Sequence, residues 1–290
     1  MKRIFLGTLL AFGVWTCVAA AEGDWDAVAK AIGRPGTEAP GGVYRVSIPR
    51  SDLTVTLDGV QIKPALALGS YLAFKKTGKE AMVMGDLVLL QEEINPVMKK
   101  LIEQGLQITA IHNHLLRASP MVMYMHYQGH GDAGKLAAAV RSALEESKTP
   151  LEAPAKSASA PQIDLDTGAI EKALGAKGTP NGGVLQFNIA RAGKITEHGT
   201  ELPIGMGMGT VINFQPTGPG KAAITGDFVI TGNEVNPVLR ALRENGIEVT
   251  ALHSHMLDEQ PRLFFMHFWA NDDAQRLADG LKAALGKVRR

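Results

Sequence analysis

The chain has 290 residues, of which 45% are hydrophobic and 20% charged, an ordinary globular composition that excludes a disordered or fibrous polymer and leaves room for two domains with proper cores. Thirty basic residues against twenty-nine acidic ones give a formal net charge of +1. No run of Lys or Arg forms a basic stripe, which argues against a nucleic-acid partner.

Lys2 and Arg3 precede an apolar run from Ile4 to Ala20, and small residues at Val18, Ala19, Ala20 and Ala21 offer a cleavage site before Glu22. Residues 1–21 therefore read as a signal peptide, and the mature chain is expected to be periplasmic or secreted. The single cysteine, Cys17, lies inside that segment, and Val14-Trp15-Thr16 before it lacks the small residues and leucine of a lipobox, so a lipid anchor is not expected. The mature chain is then expected to have no disulfide, no thiolate chemistry and no transmembrane segment.

From Glu22 onward a short helix over Ala27 to Ile32 comes first. Extended segments follow at Val43 to Ile48, Leu53 to Leu57, Tyr71 to Lys75 and Ala81 to Leu90, separated by Gly and Pro turns. Asn95 as cap and Pro96 at the first helical position predict a helix carrying Val97, Met98 and Leu101 and stopped by Gly105. Strands are expected over Leu106 to Leu115 and Val122 to Tyr127. A helix opened by Asp132 then buries Leu136, Val140 and Leu144.

The same grammar returns. The offset 253 − 112 = 141 aligns Gly85–Leu144 with Gly226–Leu285 without a gap, pairing Gly85-Asp86 with Gly226-Asp227 and Glu93, Asn95, Pro96 with Glu234, Asn236, Pro237. Ile170 to Leu174 repeats the leading helix, and Leu239, Leu242 and Gly246 repeat the later one. "KTPLEAPAKSASAPQ", from Lys148 to Gln162, has linker composition. The expected organisation is a first repeat domain over 22–147, a linker over 148–162 and a second repeat domain over 163–290. Each is α+β, a mostly antiparallel sheet with covering helices.

Six of the eight histidines are paired by the duplication: His112 with His253, His114 with His255, and His126 with His267. Alternation along a strand should project His112 and His114 to one face, continuing the row Ile108, Ala110, and an antiparallel return could bring His126 beside them. With Glu93 and Glu234 as the carboxylates, the sets His112, His114, His126, Glu93 and His253, His255, His267, Glu234 suit a transition metal, zinc or copper first. Asp86, Asp132, Asp227 and Asp273 are candidates to orient the imidazoles from behind. The ligand types resemble those of cupin metal sites, but the chain order and helices do not fit a jelly roll. Histidines at a strand end read equally well as loop-carbonyl partners, Glu93 as a helix-dipole residue and Asp132 and Asp273 as caps. Met121, Met123 and Met125 share a strand face but are matched by Arg262, Phe264 and Met266, so packing is the expected role; Met206 and Met208, replacing Leu66 and Leu68, read the same way. No G-x-S-x-G, phosphate-binding Gly loop or His-Glu-x-x-His occurs.

"MVMGDLVLLQEEINPVMKKLIEQGLQITAIHNHLL", followed by "PMVMYMHYQGHGDAGKLAAAVRSAL", resembles the bacterial exported family of unknown function 1259, also called the LppY/LpqO family. Both copies carry the pattern, and the second departs from it at Ser254, Trp269, Asn271 and Asp272. The resemblance implies no activity. Three readings stay open: a periplasmic transition-metal protein, a metal-free envelope protein binding a cell-wall fragment or small anionic ligand in a cleft near Tyr124, Phe265 and Trp269, and a metal-assisted hydrolase with Glu93 or Asp86 as base.

Overall fold

The computed structural model describes residues 25–152 and 162–289. The expected signal peptide and Cys17 lie outside the described residues, as do residues 153–161 of the expected linker. In the first repeat the elements are α1 (Trp25–Ile32), β1 (Thr37–Ala39), β2 (Val43–Pro49), β3 (Val55–Leu57), β4 (Val60–Ile62), α2 (Pro64–Ala67), β5 (Gly69–Thr77), β6 (Glu80–Leu90), α3 (Gln91–Glu103), β7 (Gln107–His112), β8 (Val122–Gly131) and α4 (Ala133–Leu144). The second repeat runs α5 (Thr167–Leu174), β9 (Thr179–Asn181), β10 (Val184–Ala190), β11 (Thr196–Glu197), β12 (Thr200–Glu201), a 3₁₀ turn (Ile204–Met206), β13 (Gly209–Gly218), β14 (Lys221–Thr231), α6 (Gly232–Glu244), β15 (Glu248–His253), β16 (Leu263–Asp273) and α7 (Ala274–Leu285). Each repeat builds one six-stranded sheet, ordered β1-β2-β5-β6-β8-β7 and β9-β10-β13-β14-β16-β15, with antiparallel neighbours throughout. No helix among the described residues is long and apolar enough to cross a membrane.

The central strand β6 explains how the repeats meet. Ala81 to Leu89 are all buried, which a strand achieves only when both faces of its sheet are covered. Ala81, Val83, Leu87 and Leu89 point into a core closed by Val97, Leu101, Val140 and Leu144 of α3 and α4. Met82, Met84 and Val88 point the other way and pack against residues of the second repeat. Asp86 belongs to this inner row, as Asp227 does on β14. The two sheets therefore lie with helices outside and inner faces together.

Arms from each repeat cross onto the other. Val55, Leu57, Ile62 and Leu66, from the β3–β4 hairpin and α2, pack with Val184, Ala223 and Trp269. In return Ile195, Leu202, Met206 and Met208 pack with Val43, Ala73, Met82 and Met84. Polar side chains fasten the arms: Asn213 Nδ2 donates to Leu66 O at 3.0 Å and Gln186 Nε2 to Ala65 O at 2.7 Å, while Arg45 Nη1 donates to Gly205 O at 3.2 Å. At the rim, Arg117 pairs with Asp58 at 2.9 Å and Glu248 at 2.8 Å, and Trp269 Nε1 donates to Asp58 at 3.1 Å.

Helix α3 begins earlier than Asn95 and Pro96 suggest. Leu90 occupies the cap, Glu93 is the third helical residue and accepts from the Leu90 N–H at 2.8 Å, and Pro96 falls inside the helix. In α6, Glu234 accepts from Thr231 N–H at 2.7 Å and Pro237 is likewise internal. A carboxylate that satisfies an orphan N–H and faces the positive helix end starts each helix a turn before its proline. Glu93 is held by Arg50, wholly buried, at 2.6 Å; Arg191 holds Glu234 at 3.1 Å.

Replacing Arg50 by Met leaves Glu93 buried without its counter-charge. Arg50→Met is expected to lower the unfolding free energy by about 3 kcal/mol, whereas Arg50→Met with Glu93→Gln, which keeps an acceptor for Leu90, recovers most of that loss. Urea unfolding of both variants measures the difference.

Candidate metal centre

A bulge places the histidines. Along β7, Ile108 opposes Tyr127 but Ala110 opposes His126 and His112 opposes Tyr124, so Thr109 is an extra residue in the ladder. The row Ile108, Ala110, His112 thus does not share one face: Ile108 packs into the helix-side core with Tyr127, while Ala110 and His112 turn inward with His126. The second repeat has the same bulge at Thr250, and Thr250 Oγ1 donates to the carbonyl of His114 at 2.6 Å across the repeat boundary. The strand ends at His112 rather than Leu115, and His114 follows in the turn.

All six duplicated histidines meet in one cluster between the sheets. His112 and His253 stack with ring centroids 3.5 Å apart, and the other rings cross over: His114 lies on His267 at 3.7 Å and His126 on His255 at 3.8 Å. Tyr124 and Phe265 cover His114 and His255 from outside at 3.4 Å each. Asp86 lies directly opposite His126 in the ladder, and Asp227 opposite His267. Asp86 Oδ2 is 3.8 Å from Nε2 of both His114 and His126; Asp227 is 3.6 Å from His255 and 3.9 Å from His267. Four groupings have ligand atoms within 4.8 Å of one another: Asp86, His114, His126; Asp227, His255, His267; His112, His126, His253, His255; and His112, His114, His267.

Hydrogen bonding decides which nitrogen is offered. The Nδ1 of His267 lies 2.8 Å from the Gly226 carbonyl; since a carbonyl only accepts, Nδ1 carries the hydrogen and Nε2 presents its lone pair. His126 is held in the same way by the Gly85 carbonyl. Side chains fit badly at both glycines: a Cβ on Gly85 would strike Tyr71 O and Tyr127 Oη, and one on Gly226 would strike Val211 O. The Gly-Asp pair is therefore one device, with the carbonyl setting the tautomer and the carboxylate standing beside the ring. Among the described residues, Nε2 of His112, His114, His126, His255 and His267, both nitrogens of His253, and Oδ1 of Asp86 and Asp227 are buried without a hydrogen-bond partner. So many unpartnered buried polar atoms in one place are costly unless something binds them.

Burial disfavours every charged form here. It pushes His112 down to about 4 and His267 down to about 3, and it lowers His114, His126, His253 and His255 as well, with neighbouring imidazoles adding to the effect at most of these sites. Burial raises Asp86 to about 7 and Asp227 well above the carboxylate range. Neutral imidazole is the form that ligates a metal.

The expected carboxylates are not the ones delivered. Glu93 and Glu234 belong to none of the groupings, because both oxygens of Glu93 are taken by Arg50, Leu90 N–H and Lys148 N–H, and those of Glu234 by Arg191, Thr231 N–H and Arg289 N–H. Asp132 and Asp273 are helix caps, accepting from Lys135 N–H and Arg276 N–H at 2.9 Å each. Met125 sits in the helix-side core and Met121 at the surface. Glu93 loses its availability as a base for hydrolysis by the same contacts.

Beside the cluster lies a cavity of about 560 Å³, bounded by α2, Gly207 and the strands of both sheets, and reaching Asp86, Asp227, His114, His255 and His267. Arg45 and Tyr71 line it from the first repeat, Gln186 and Asn213 from the second. The sequence carried little signal for these four, each a single residue on an otherwise ordinary strand.

A model of the family described as Domain of Unknown Function (DUF1259) matches residues 26–146 and again residues 168–287. The chain belongs to this family. The first DUF1259 match contains Asp86, His112, His114 and His126 and the second Asp227, His253, His255 and His267, so both are needed for the full cluster. No curated protein matches the chain. Among solved structures, a trimeric bacterial microcompartment shell protein, PduB, is similar at 15% identity and a TM-score of 0.21, covering 86% of this chain and 88% of that one. EtuB from Clostridium kluyveri is similar at 11% identity and a TM-score of 0.19, covering 87% and 90%. Scores this low carry nothing about this DUF1259 protein's assembly or role.

The depressed histidines make chelator-treated protein acid-sensitive. Below 6.5 the unfolded chain takes up protons that the folded cluster refuses until about 4 at His112 and about 3 at His267, so stability is lost as pH falls through that window. Asp86, raised to about 7 from 3.8, acts in the opposite sense between those values, as does Asp227, but six imidazoles outnumber two carboxyls. Thermal unfolding between pH 7 and pH 4 is expected to show a falling midpoint, and a flat or rising one contradicts it.

Proposed function

We propose that this protein is an exported, periplasmic transition-metal protein whose two repeats jointly form one composite centre from His112, His114, His126, His253, His255 and His267, with Asp86 and Asp227 as the carboxylates. The observation that carries this reading is the set of unpartnered imidazole nitrogens buried at the repeat interface. Nitrogen and carboxylate donors without a thiolate or thioether suit a divalent first-row ion, and zinc or copper(II) is the first choice. Each repeat supplies three histidines and one aspartate, with His112 and His253 stacked on each other where the repeats meet, a donor count that accommodates one shared ion or two neighbouring ones. The ion's charge offsets the two carboxylates that the apolar interface otherwise leaves exposed to each other. Bound this way it also ties the sheets together, so metal stabilises the folded state by mass action.

Elemental analysis of the purified mature chain is expected to find about one to two equivalents of metal per chain, as its donor count allows. His126→Ala with His267→Ala, which takes one ligand from each of the four groupings, should abolish that content while leaving the circular dichroism spectrum folded. Glu93→Gln should leave it unchanged. The reading is lost if no metal is retained under any loading condition, or if the double histidine variant keeps a full complement.

A further inference from the structure

We propose that the cavity beside the histidine cluster binds a small organic carboxylate, with its anionic group at Arg45 and its body directed toward the centre. The proposal rests on the metal reading above and deepens it, by giving the chemical class of the ligand that the centre faces.

Position makes this a ligand chamber rather than a packing defect. The cavity, about 560 Å³, lies between the repeats with Asp86, Asp227 and three of the histidines on its wall, within the size range of small-molecule sites. Leu66, Ala67 and Val211 give it apolar surface, and Tyr71 and Tyr124 add aromatic surface.

Arg45 supplies the charge preference. Its counterpart in the second repeat is Gln186: each lies on the second strand of its sheet, Arg45 opposite Ala73 and Gln186 opposite Asn213. Both do the same structural work, since Gln186 donates to Ala65 O at 2.7 Å and Arg45 to Gly205 O at 3.2 Å, each fastening the arm of the other repeat. A neutral amide suffices for that contact, so the positive charge of Arg45 is surplus to it. The guanidinium lies 3.5 Å over the Tyr71 ring, and it forms no ion pair with any carboxylate of the described residues. Planar, with most of its donors left over, it is suited to two parallel hydrogen bonds from a carboxylate.

Charge balance points the same way. With neutral imidazoles, one divalent ion offsets Asp86 and Asp227, and Arg45 is left as the uncompensated charge in the chamber. A monoanion neutralises it, whereas a neutral or cationic ligand does not.

Isothermal titration of the metal-loaded mature chain with acetate, propionate and benzoate, using benzamide as the neutral counterpart of benzoate, tests the proposal. At least one carboxylate is expected to bind at millimolar concentration or below and benzamide not at all. Arg45→Gln, which installs the residue already tolerated at position 186, should weaken carboxylate binding about tenfold or more with metal content unchanged, and Gln186→Arg should strengthen it. The proposal is overturned if none of the three acids binds, if benzoate and benzamide bind alike, or if Arg45→Gln has no effect. Elemental analysis of the same samples separates the two readings. Metal retained without carboxylate binding removes the chamber and leaves the centre. Arg45-dependent carboxylate binding to a chain that retains no metal keeps the chamber and removes the centre.

Discussion

The structure depends on the burial of unpartnered polar atoms between two apolar sheet faces. Met82, Met84 and Val88 could seal against the second repeat as any core does, yet Asp86 sits in the same row and six imidazoles gather around it and Asp227. An apolar interface with that much unsatisfied polarity at its middle would be expected to open to water. Instead the arms of each repeat are fastened over the other, and the carbonyls of Gly85 and Gly226 hold the imidazoles of His126 and His267 in place. Rigidity of this kind preorganises ligands, so that little ordering entropy remains to be lost when an ion arrives.

Much of this was legible in the sequence. The duplication, the antiparallel α+β repeats and the three paired histidines follow from spacing and alternation, because sheet period and helix caps are local properties. Asp86 and Asp227 were visible as part of a repeated Gly-Asp pair, though as outlying partners rather than as groups among the rings. Glu93 misled for a physical reason. A carboxylate at the third position of a helix is a local feature, but the buried arginine that occupies it comes from 43 residues earlier, and nothing in the local pattern reveals that.

Two further features were out of reach. The bulge at Thr109 reverses which neighbours share a face with His112, and a one-residue irregularity leaves no mark on an alternating pattern. The meeting of the two histidine sets depends on how the sheets face each other, which is a property of the β3–β4 hairpin, α2 and their counterparts. Of those short segments only Leu53 to Leu57 read as extended, and nothing in its local pattern marks it as an arm, although the apolar residues of these segments supply a large part of the inter-repeat core.

The crossed stacking of His114 on His267 and of His126 on His255 means that neither repeat owns half of the centre in any separable sense. A dimer of identical single repeats could build the same ring of imidazoles, but it would be bound by its own symmetry: whatever stood on one wall of the chamber would stand on the other. Covalent fusion lifts that restriction. Arg45 faces a chamber whose opposite wall bears Gln186, so one chain can hold a nearly symmetric set of metal donors and still give a visiting molecule a front and a back.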